Sequence, residues 1–210
     1  MSANGSIVRE DFRAAARAFV GVVRQVGPTA WDEPGLGVWT VRDLAGHTSR
    51  ALLTVEAYLE PATTDTPSLA GPEAYFAAAG AAGALTDPAA VAERGRQAGR
   101  DLGDDPAASV SGLAERVLAL VDAAEDAAVI RTPFNTMTLT GYLPTRTFEL
   151  VVHTLDLAAA VGVPAPQGLD GALASTLGLA TRLAVARGQG ADVLLALTGR
   201  RPLPAGFSVL

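Results

Sequence analysis

Two histidines and one glutamate are the residues of this sequence that could hold a metal ion. The chain has only two histidines, His47 and His153, and Glu149 lies four residues before the second of them. Residues four apart in an α-helix lie on one face, one turn apart. Imidazole nitrogen and carboxylate oxygen suit zinc, nickel, iron or manganese. The pattern predicts two ligands from one helix and a third from a neighbouring helix, with a position left for water or substrate.

Each of these residues also has an ordinary structural interpretation. A Glu and a His four residues apart often form only a surface hydrogen bond. The glutamate could pair with Arg146 or Arg50, and the second histidine with Asp156. The first histidine could be a core residue whose neighbour Gly46 permits close helix packing. Spacing alone leaves the metal site and these alternatives open.

Two further residues are candidates for a catalytic role. Arg50 lies one helical turn after His47, so it points towards the same side and could bind a substrate carboxylate through two parallel hydrogen bonds. Asp156 lies three residues after His153 and could accept the N–H of a ligand histidine. The structural alternatives are a salt bridge for the arginine, and a cap or a helix–helix pair for the aspartate.

The elements that must position these residues are predicted to be helices. Hydrophobic residues make up 49% of the chain but aromatics only 5%, so the apolar content is mostly Ala, Val and Leu, of which Ala and Leu are strong helix formers. Apolar positions recur at helical spacing in several segments. The predicted helices cover 7–26, 41–60 with Pro61 as the stop, one or two within 71–103, 105–127, 145–161, 170–187 and 191–197.

The second of these helices has the clearest start signal. Thr40 is the predicted N-cap, and Asp43 can reach back to it in an aspartate version of the capping box. Trp39 and Leu44 flank this box as a hydrophobic staple. His47 would then lie within this helix, among apolar neighbours.

Two segments differ from the helical pattern. Residues 61–70 are rich in Thr, Pro and Ser and predict a surface loop. Residues 128–142 are mostly β-branched or aromatic, which indicates at most a short extended or hairpin segment. We therefore expect an all-α fold: one domain over residues 1–210, with four long amphipathic helices in a bundle and short accessory helices.

Composition excludes several classes of function. The net charge is −6 at pH 7 without basic clusters, which argues against nucleic acid and anionic membrane surfaces as partners. No apolar stretch reaches the ~20 residues that span a bilayer, and no signal peptide is visible, so a cytoplasmic protein is expected. The chain has no cysteine, so disulfides and a thiol nucleophile of its own are excluded.

Three segments carry a resemblance to a known family. Residues 37–47 (GVWTVRDLAGH) resemble the entry to the second helix of the DinB-like superfamily, in particular the metal-binding domain of mycothiol-dependent maleylpyruvate isomerases. Residues 146–158 (RTFELVVHTLDLA) resemble the second motif of the same family. The ending at 197–204 (LTGRRPLP) is similar to the close of many actinobacterial members.

The resemblance implies a DinB-like four-helix bundle and a divalent metal, usually zinc, held by His47, Glu149 and His153. It also implies mycothiol, the low-molecular-weight thiol of actinobacteria, as cosubstrate. The thiolate would add to an activated alkene, allow rotation about the former double bond, and leave. A metal lowers the pKa of such a thiol, and a chain without cysteine fits a nucleophile that arrives from solution.

The resemblance does not determine the reaction. The isomerase proper also carries a C-terminal domain resembling sterol-carrier proteins, which contributes to its active site, whereas a bundle alone is expected here. Another thiol-dependent transfer is therefore as plausible as maleylpyruvate isomerisation. A metal-dependent hydrolase and a non-catalytic metal-binding or regulatory protein are the alternatives. A homodimer is possible, because bundles of this kind often pair through helix faces.

Overall fold

The computed structural model describes residues 3–59, 63, 65–83 and 87–210. This part of the chain holds eight helices and one hairpin, which confirms the predicted all-α class. The helices are α1 (Ala3–Val23), α2 (Val41–Leu59), α3 (Pro72–Ala81), α4 (Pro88–Asp101), α5 (Pro106–Ala123), α6 (Leu139–Ala160), α7 (Asp170–Ala186) and α8 (Gly190–Leu197). The strands, between α5 and α6, are β1 (Val129–Thr132) and β2 (Asn135–Thr138).

The start of α2 follows the predicted capping box. The backbone N–H of Thr40 donates to Oδ2 of Asp43 at 3.2 Å, and the backbone N–H of Asp43 donates to Oγ1 of Thr40 at 3.2 Å. Two backbone N–H groups at the start of the helix, for which no helical carbonyl is available as acceptor, are satisfied in this way. The predicted stop of this helix at residues 60 and 61 lies outside the described residues, as does part of the predicted loop at 61–70.

The predicted boundaries of three helices were wrong. Helix α6 begins at Leu139 rather than at residue 145, because Thr138 caps it by accepting the backbone N–H of Gly141 at 3.1 Å. Pro144 therefore lies inside the helix, where its missing N–H removes one helical hydrogen bond without ending the helix. Helix α5 ends at residue 123 rather than 127, since Ala124 is extended. Helix α1 covers residues 3–23 rather than 7–26.

The long helices pack around one apolar core. Helix α1 contacts α5, α6 and α7, while α2 contacts α4, α5 and α6. The side chains in the middle are large and fully buried, as burial of apolar surface requires. They include Phe12, Phe19, Leu44, Leu52, Leu143 and Leu150. The contact between α2 and α6 is the one that matters for the candidate ligands, because it brings together segments distant in the sequence.

The hairpin leads directly into α6. Its strands are antiparallel, with Val129 opposite Thr138 and Thr132 opposite Asn135. Thr138 is both the last residue of β2 and the N-cap of α6, so no linker separates the hairpin from this helix. Among the described residues, none of the helices combines the length and the apolar character that a membrane span requires.

Candidate metal centre

The three predicted ligands meet between α2 and α6. His47 comes from α2, and Glu149 and His153 come from successive turns of α6. One nitrogen of each histidine and one carboxylate oxygen all lie within 4.8 Å of one another. The two imidazole rings are 4.8 Å apart between centroids and nearly perpendicular, at 81°. The structure therefore brings together the residues that the sequence analysis proposed as a set.

A close approach of α2 and α4 fixes the position of His47. A Cβ atom at Gly46 would lie 2.1 Å from the backbone nitrogen of Gly99 on α4, far inside van der Waals contact. Only glycine fits at this point, so the interpretation of Gly46 as a residue for close helix packing is confirmed. This packing role is compatible with the candidate metal site, because Gly46 is the residue before His47 and is not itself a candidate ligand.

Trp39 supports the other side of the same ring. Its indole lies 4.4 Å from the His47 ring between centroids, and its Nε1–H donates to the carbonyl of Ala92 on α4 at 3.0 Å. The ring also covers Gly95, where a Cβ atom would lie 2.7 Å from the indole. Trp39 therefore joins the start of α2 to α4 beside the candidate ligand, a contact that the sequence analysis did not predict.

His153 is held by a carboxylate at each ring nitrogen. Its Nδ1 lies 3.0 Å from Oδ2 of Asp156, and its Nε2 lies 3.4 Å from Oε2 of Glu149. The contact between Asp156 and His153 is thus present in the structure, as both the proposed support of a candidate ligand and the structural alternative for His153 predict. Neither Arg146 nor Arg50 forms an ion pair with the glutamate in the described part of the chain, so those two alternatives do not occur.

The surroundings of the two histidines push their pKa values apart. Burial is the main cause that lowers the pKa of His47 to about 4, and the nearby His153 adds to it. Burial also acts against the charge of His153, but Asp156 and Glu149 outweigh it and raise its pKa to about 9. Burial likewise opposes the charge of Glu149, yet the hydrogen bond from His153 and the charge of Arg146 hold its pKa below the usual value.

The residues fit a divalent transition metal. The Nδ1 atom of His47 is fully buried and has no hydrogen-bond partner, which is costly for a polar atom unless something else binds it. A ring that is neutral at pH 7 is the form that coordinates metal. Tetrahedral zinc with bonds of about 2.1 Å places its ligand atoms about 3.4 Å apart, so atoms that already lie within 4.8 Å of one another reach it with side-chain movements of about 1 Å.

The other arginines near the site make different contacts. Arg50 is partly buried and has no hydrogen bond or ion pair from its side chain among the described residues, although its charge acts on His47. Arg42 donates to the carbonyl of Gly103 at 2.8 Å and lies over the ring of Trp31. The catalytic role predicted for Arg50 stays a prediction.

A cavity of about 690 Å³ lies between α1, α3, α6 and α7. Thr147 and Thr176 line it, and Thr147 is on the face of α6 opposite to Glu149. None of the three candidate ligands borders this cavity. It is therefore separate from the site between α2 and α6.

Fold and site together define a class of protein: helical bundles of the DinB-like type, in which two histidines and a glutamate meet between two helices. Comparison with known families makes the assignment more specific. Residues 9–158 match the model of the mycothiol maleylpyruvate isomerase N-terminal domain, and the chain belongs to that family. The matched range includes all three candidate ligands. No curated protein and no solved structure matches the chain.

Proposed function

We propose that this protein is a metal-dependent enzyme of the maleylpyruvate isomerase or thiol S-transferase type, with mycothiol as cosubstrate. The observation that carries the proposal is the meeting of His47, Glu149 and His153 within 4.8 Å, with a buried and unpartnered nitrogen on His47. Membership of a family named for mycothiol and maleylpyruvate isomerisation supports the thiol. Zinc is the proposed metal, and nickel or iron are alternatives that the same ligands serve.

Each residue of the candidate site has its own proposed role. His47 is neutral at pH 7 and offers a nitrogen, while Glu149 offers a negative charge close by. Asp156 accepts the Nδ1–H of His153, which fixes the ring and directs Nε2 towards the glutamate. The proton on that Nε2 must leave before the nitrogen can act as a ligand. Arg50, one turn after His47, is proposed to bind an acidic group of the substrate.

A divalent ion held there would supply Lewis acidity, which lowers the pKa of a thiol and favours its thiolate near pH 7. The thiol itself must come from solution, because the chain has no cysteine. As the sulfur bonds to one carbon of an activated alkene, the C=C π bond breaks and its electron pair moves onto the activating carbonyl as an enolate. After rotation about the resulting single bond, the enolate returns that pair, which re-forms the double bond and expels the thiolate, with no net gain or loss of atoms.

Elemental analysis of the purified protein and of the His153→Ala variant tests the metal site. We expect about one metal ion per chain in the parent and its loss in the variant, since one of three ligands is gone. Val152→Ala, at the neighbouring position of α6, is the matched control and should keep its metal. Undiminished metal in His153→Ala would refute the site.

Turnover with and without mycothiol tests the reaction. We expect isomerisation or S-conjugation of an activated alkene only when both mycothiol and metal are present, and loss of activity after dialysis against a chelator. Hydrolytic turnover that needs the metal but no thiol would refute the thiol mechanism and indicate a hydrolase. A metal-loaded protein that binds no mycothiol at millimolar concentration would indicate a non-catalytic role.

We also propose that the chain forms a single domain. Helix α7 lies outside the matched range but contacts both α1 and α6, and α8 contacts α7. Limited proteolysis that removes residues after 160 as a separately folded unit would contradict this. A homodimer and a cytoplasmic location remain predictions.

A further inference from the structure

Two arginines of the described chain are less than a tenth exposed, and their surroundings differ. Arg9, at 5% exposed, donates to the carboxylate of Asp126 and to the carbonyls of Val121 and Ala124. Arg146, at 9% exposed, makes one hydrogen bond, from Nε to Oγ1 of Thr145 at 3.0 Å. No carboxylate of the described residues lies within ion-pair distance of it. A buried cation without a partner is costly, so this arrangement calls for an explanation.

The guanidinium of Arg146 lies against two tyrosine rings. Its Cζ is 5.0 Å from the ring centroid of Tyr142 on α6 and 5.4 Å from that of Tyr75 on α3. These cation–π contacts hold the side chain in place. Tyr142 is itself fixed, since its hydroxyl donates to Oγ1 of Thr54 on α2 at 2.9 Å. The guanidinium is therefore positioned by three helices before any ligand arrives.

The two terminal nitrogens of Arg146 are available to a ligand. Neither nitrogen has a hydrogen-bond partner in the part of the chain that the structure describes. Neither is among the fully enclosed polar atoms that lack a partner, so the exposed surface of this residue includes both nitrogens. A guanidinium offers two parallel N–H groups that match the two oxygens of a carboxylate. The free edge of Arg146 thus has the shape and charge that recognise a planar carboxylate.

Arg146 also lies next to the candidate metal ligands. It precedes Glu149 by three residues on α6, so the two side chains are neighbours on the helix surface. The charges of Arg146 and Arg50 both act on Tyr58 of α2, and that of Arg50 acts on His47. Arg50 on α2 and Arg146 on α6 thus place two positive charges beside the site, and neither forms an ion pair among the described residues. A substrate that reached the metal ligands from that side would meet positive charge.

We propose that Arg146 is the specificity residue that binds a carboxylate of the alkene substrate and sets its reacting carbons beside the metal ligands. The proposal rests on the proposed function for the choice of substrate, and on the packing of Arg146 for the choice of residue. The expected substrate is an unsaturated acid whose carboxylate lies close to the double bond. A neutral ester of the same acid lacks the charge that Arg146 would match.

Calorimetric titration of the zinc-loaded protein with maleate tests this inference, with dimethyl maleate and inorganic phosphate as comparison ligands. Arg146→Met should weaken maleate binding about 10- to 100-fold, because a charge-assisted pair of hydrogen bonds is lost. Arg146→Lys keeps the charge but not the two-pronged shape, so it should recover only part of the loss. Binding of dimethyl maleate should be weak in every variant and insensitive to residue 146.

Arg17→Met is the matched control, because it removes the same charge from an exposed position on α1, a helix that contributes nothing to the site. It should bind maleate like the parent. Equal maleate affinity in the parent and in both Arg146 variants would overturn the proposal. Tighter binding of phosphate than of maleate, lost in Arg146→Met, would overturn the carboxylate assignment.

A second measurement separates this proposal from the metal site. In the metal-free protein, maleate should still shift the Nε–Hε NMR signal of Arg146 in the otherwise unchanged chain, so no variant needs to fold. If the protein never binds zinc but the signal still shifts, the metal-dependent function fails and the carboxylate site at Arg146 is supported. Normal zinc content without the shift would overturn the role of Arg146 and leave the metal site intact.

Discussion

Replacement of Asp156 by asparagine should weaken metal binding without changing the fold. The carboxylate lies 3.0 Å from Nδ1 of His153, and asparagine keeps its size but not its charge. Such partners of ligand histidines orient the ring and raise its basicity, and their loss costs about 10- to 100-fold in metal affinity. Asp156 is 31% exposed and His153 17%, so solvent screens part of the interaction. We expect about 10- to 30-fold, or roughly 1.4–2 kcal/mol.

Competition with a chromophoric chelator at constant pH measures this loss of zinc affinity. Asp104→Asn is the matched control, since Asp104 is exposed in the turn between α4 and α5, and it should bind zinc like the parent. Circular dichroism of both variants should match that of the parent. A zinc dissociation constant for Asp156→Asn within twofold of the control would refute the reasoning, because it would mean that the contact neither orients the ring nor raises its basicity.

The same substitution has a second signature in the metal-free protein. Asp156 is one of the two carboxylates that raise the pKa of His153 to about 9. Its neutralisation should lower that pKa, which the ring proton signals of His153 report during an NMR titration. An unchanged pKa would show that Glu149 alone holds the charge, and the loss of affinity would then need another cause.

Three further predictions concern the fold around the site. In the metal-free protein, the raised pKa of His153, about 9, stabilises the fold at pH values below the unfolded-state pKa of ~6.5. This contribution is lost as the pH rises through 9. The lowered pKa of His47, about 4, contributes stability above pH ~6.5 that is lost as the pH falls towards 4. The contribution of the two histidines to the melting temperature should therefore be largest near pH ~6.5. A melting temperature that changes in one direction only across this pH range would contradict the prediction. Gly46→Ala should lower the free energy of unfolding by about 3 kcal/mol or more, because the new methyl group meets the backbone of α4, whereas Gly21→Ala, with open space around it, should be neutral or stabilising in the same denaturant titration. Thr40→Ala should cost about 1 kcal/mol through loss of the capping box, and an unchanged denaturation midpoint would argue against that role.

The parts of the site that could be predicted depend on short-range patterns. Two of these patterns are the four-residue spacing of Glu149 and His153 and the Thr40–Asp43 box that begins the helix of His47. Each depends only on residues within about one helical turn, so its geometry follows once the helix forms. The family motifs added the pairing of these two helices, which periodicity alone does not specify.

The parts that could not be predicted depend on contacts between distant segments. Trp39 was expected to pair with Leu44, yet its indole lies against His47 and bonds to α4. The cation–π contact of Arg146 with Tyr142 was accessible from their spacing of four residues, but the contact with Tyr75 depends on where α3 packs. Pro144 led to a wrong predicted start for α6, because Thr138 caps the helix upstream and the proline lies within its first two turns.

The location of the candidate site between α2 and α6 has a consequence for the kinetics of folding. Its ligands come from segments about 100 residues apart in the chain, and contacts of such long range close late, after local helices and the hairpin have formed. A metal ion bound there would stabilise the native state but not the transition state. It should therefore slow unfolding and leave the folding rate nearly unchanged. Chelation would then shorten the lifetime of the folded protein, while newly made chains would still fold at the same speed.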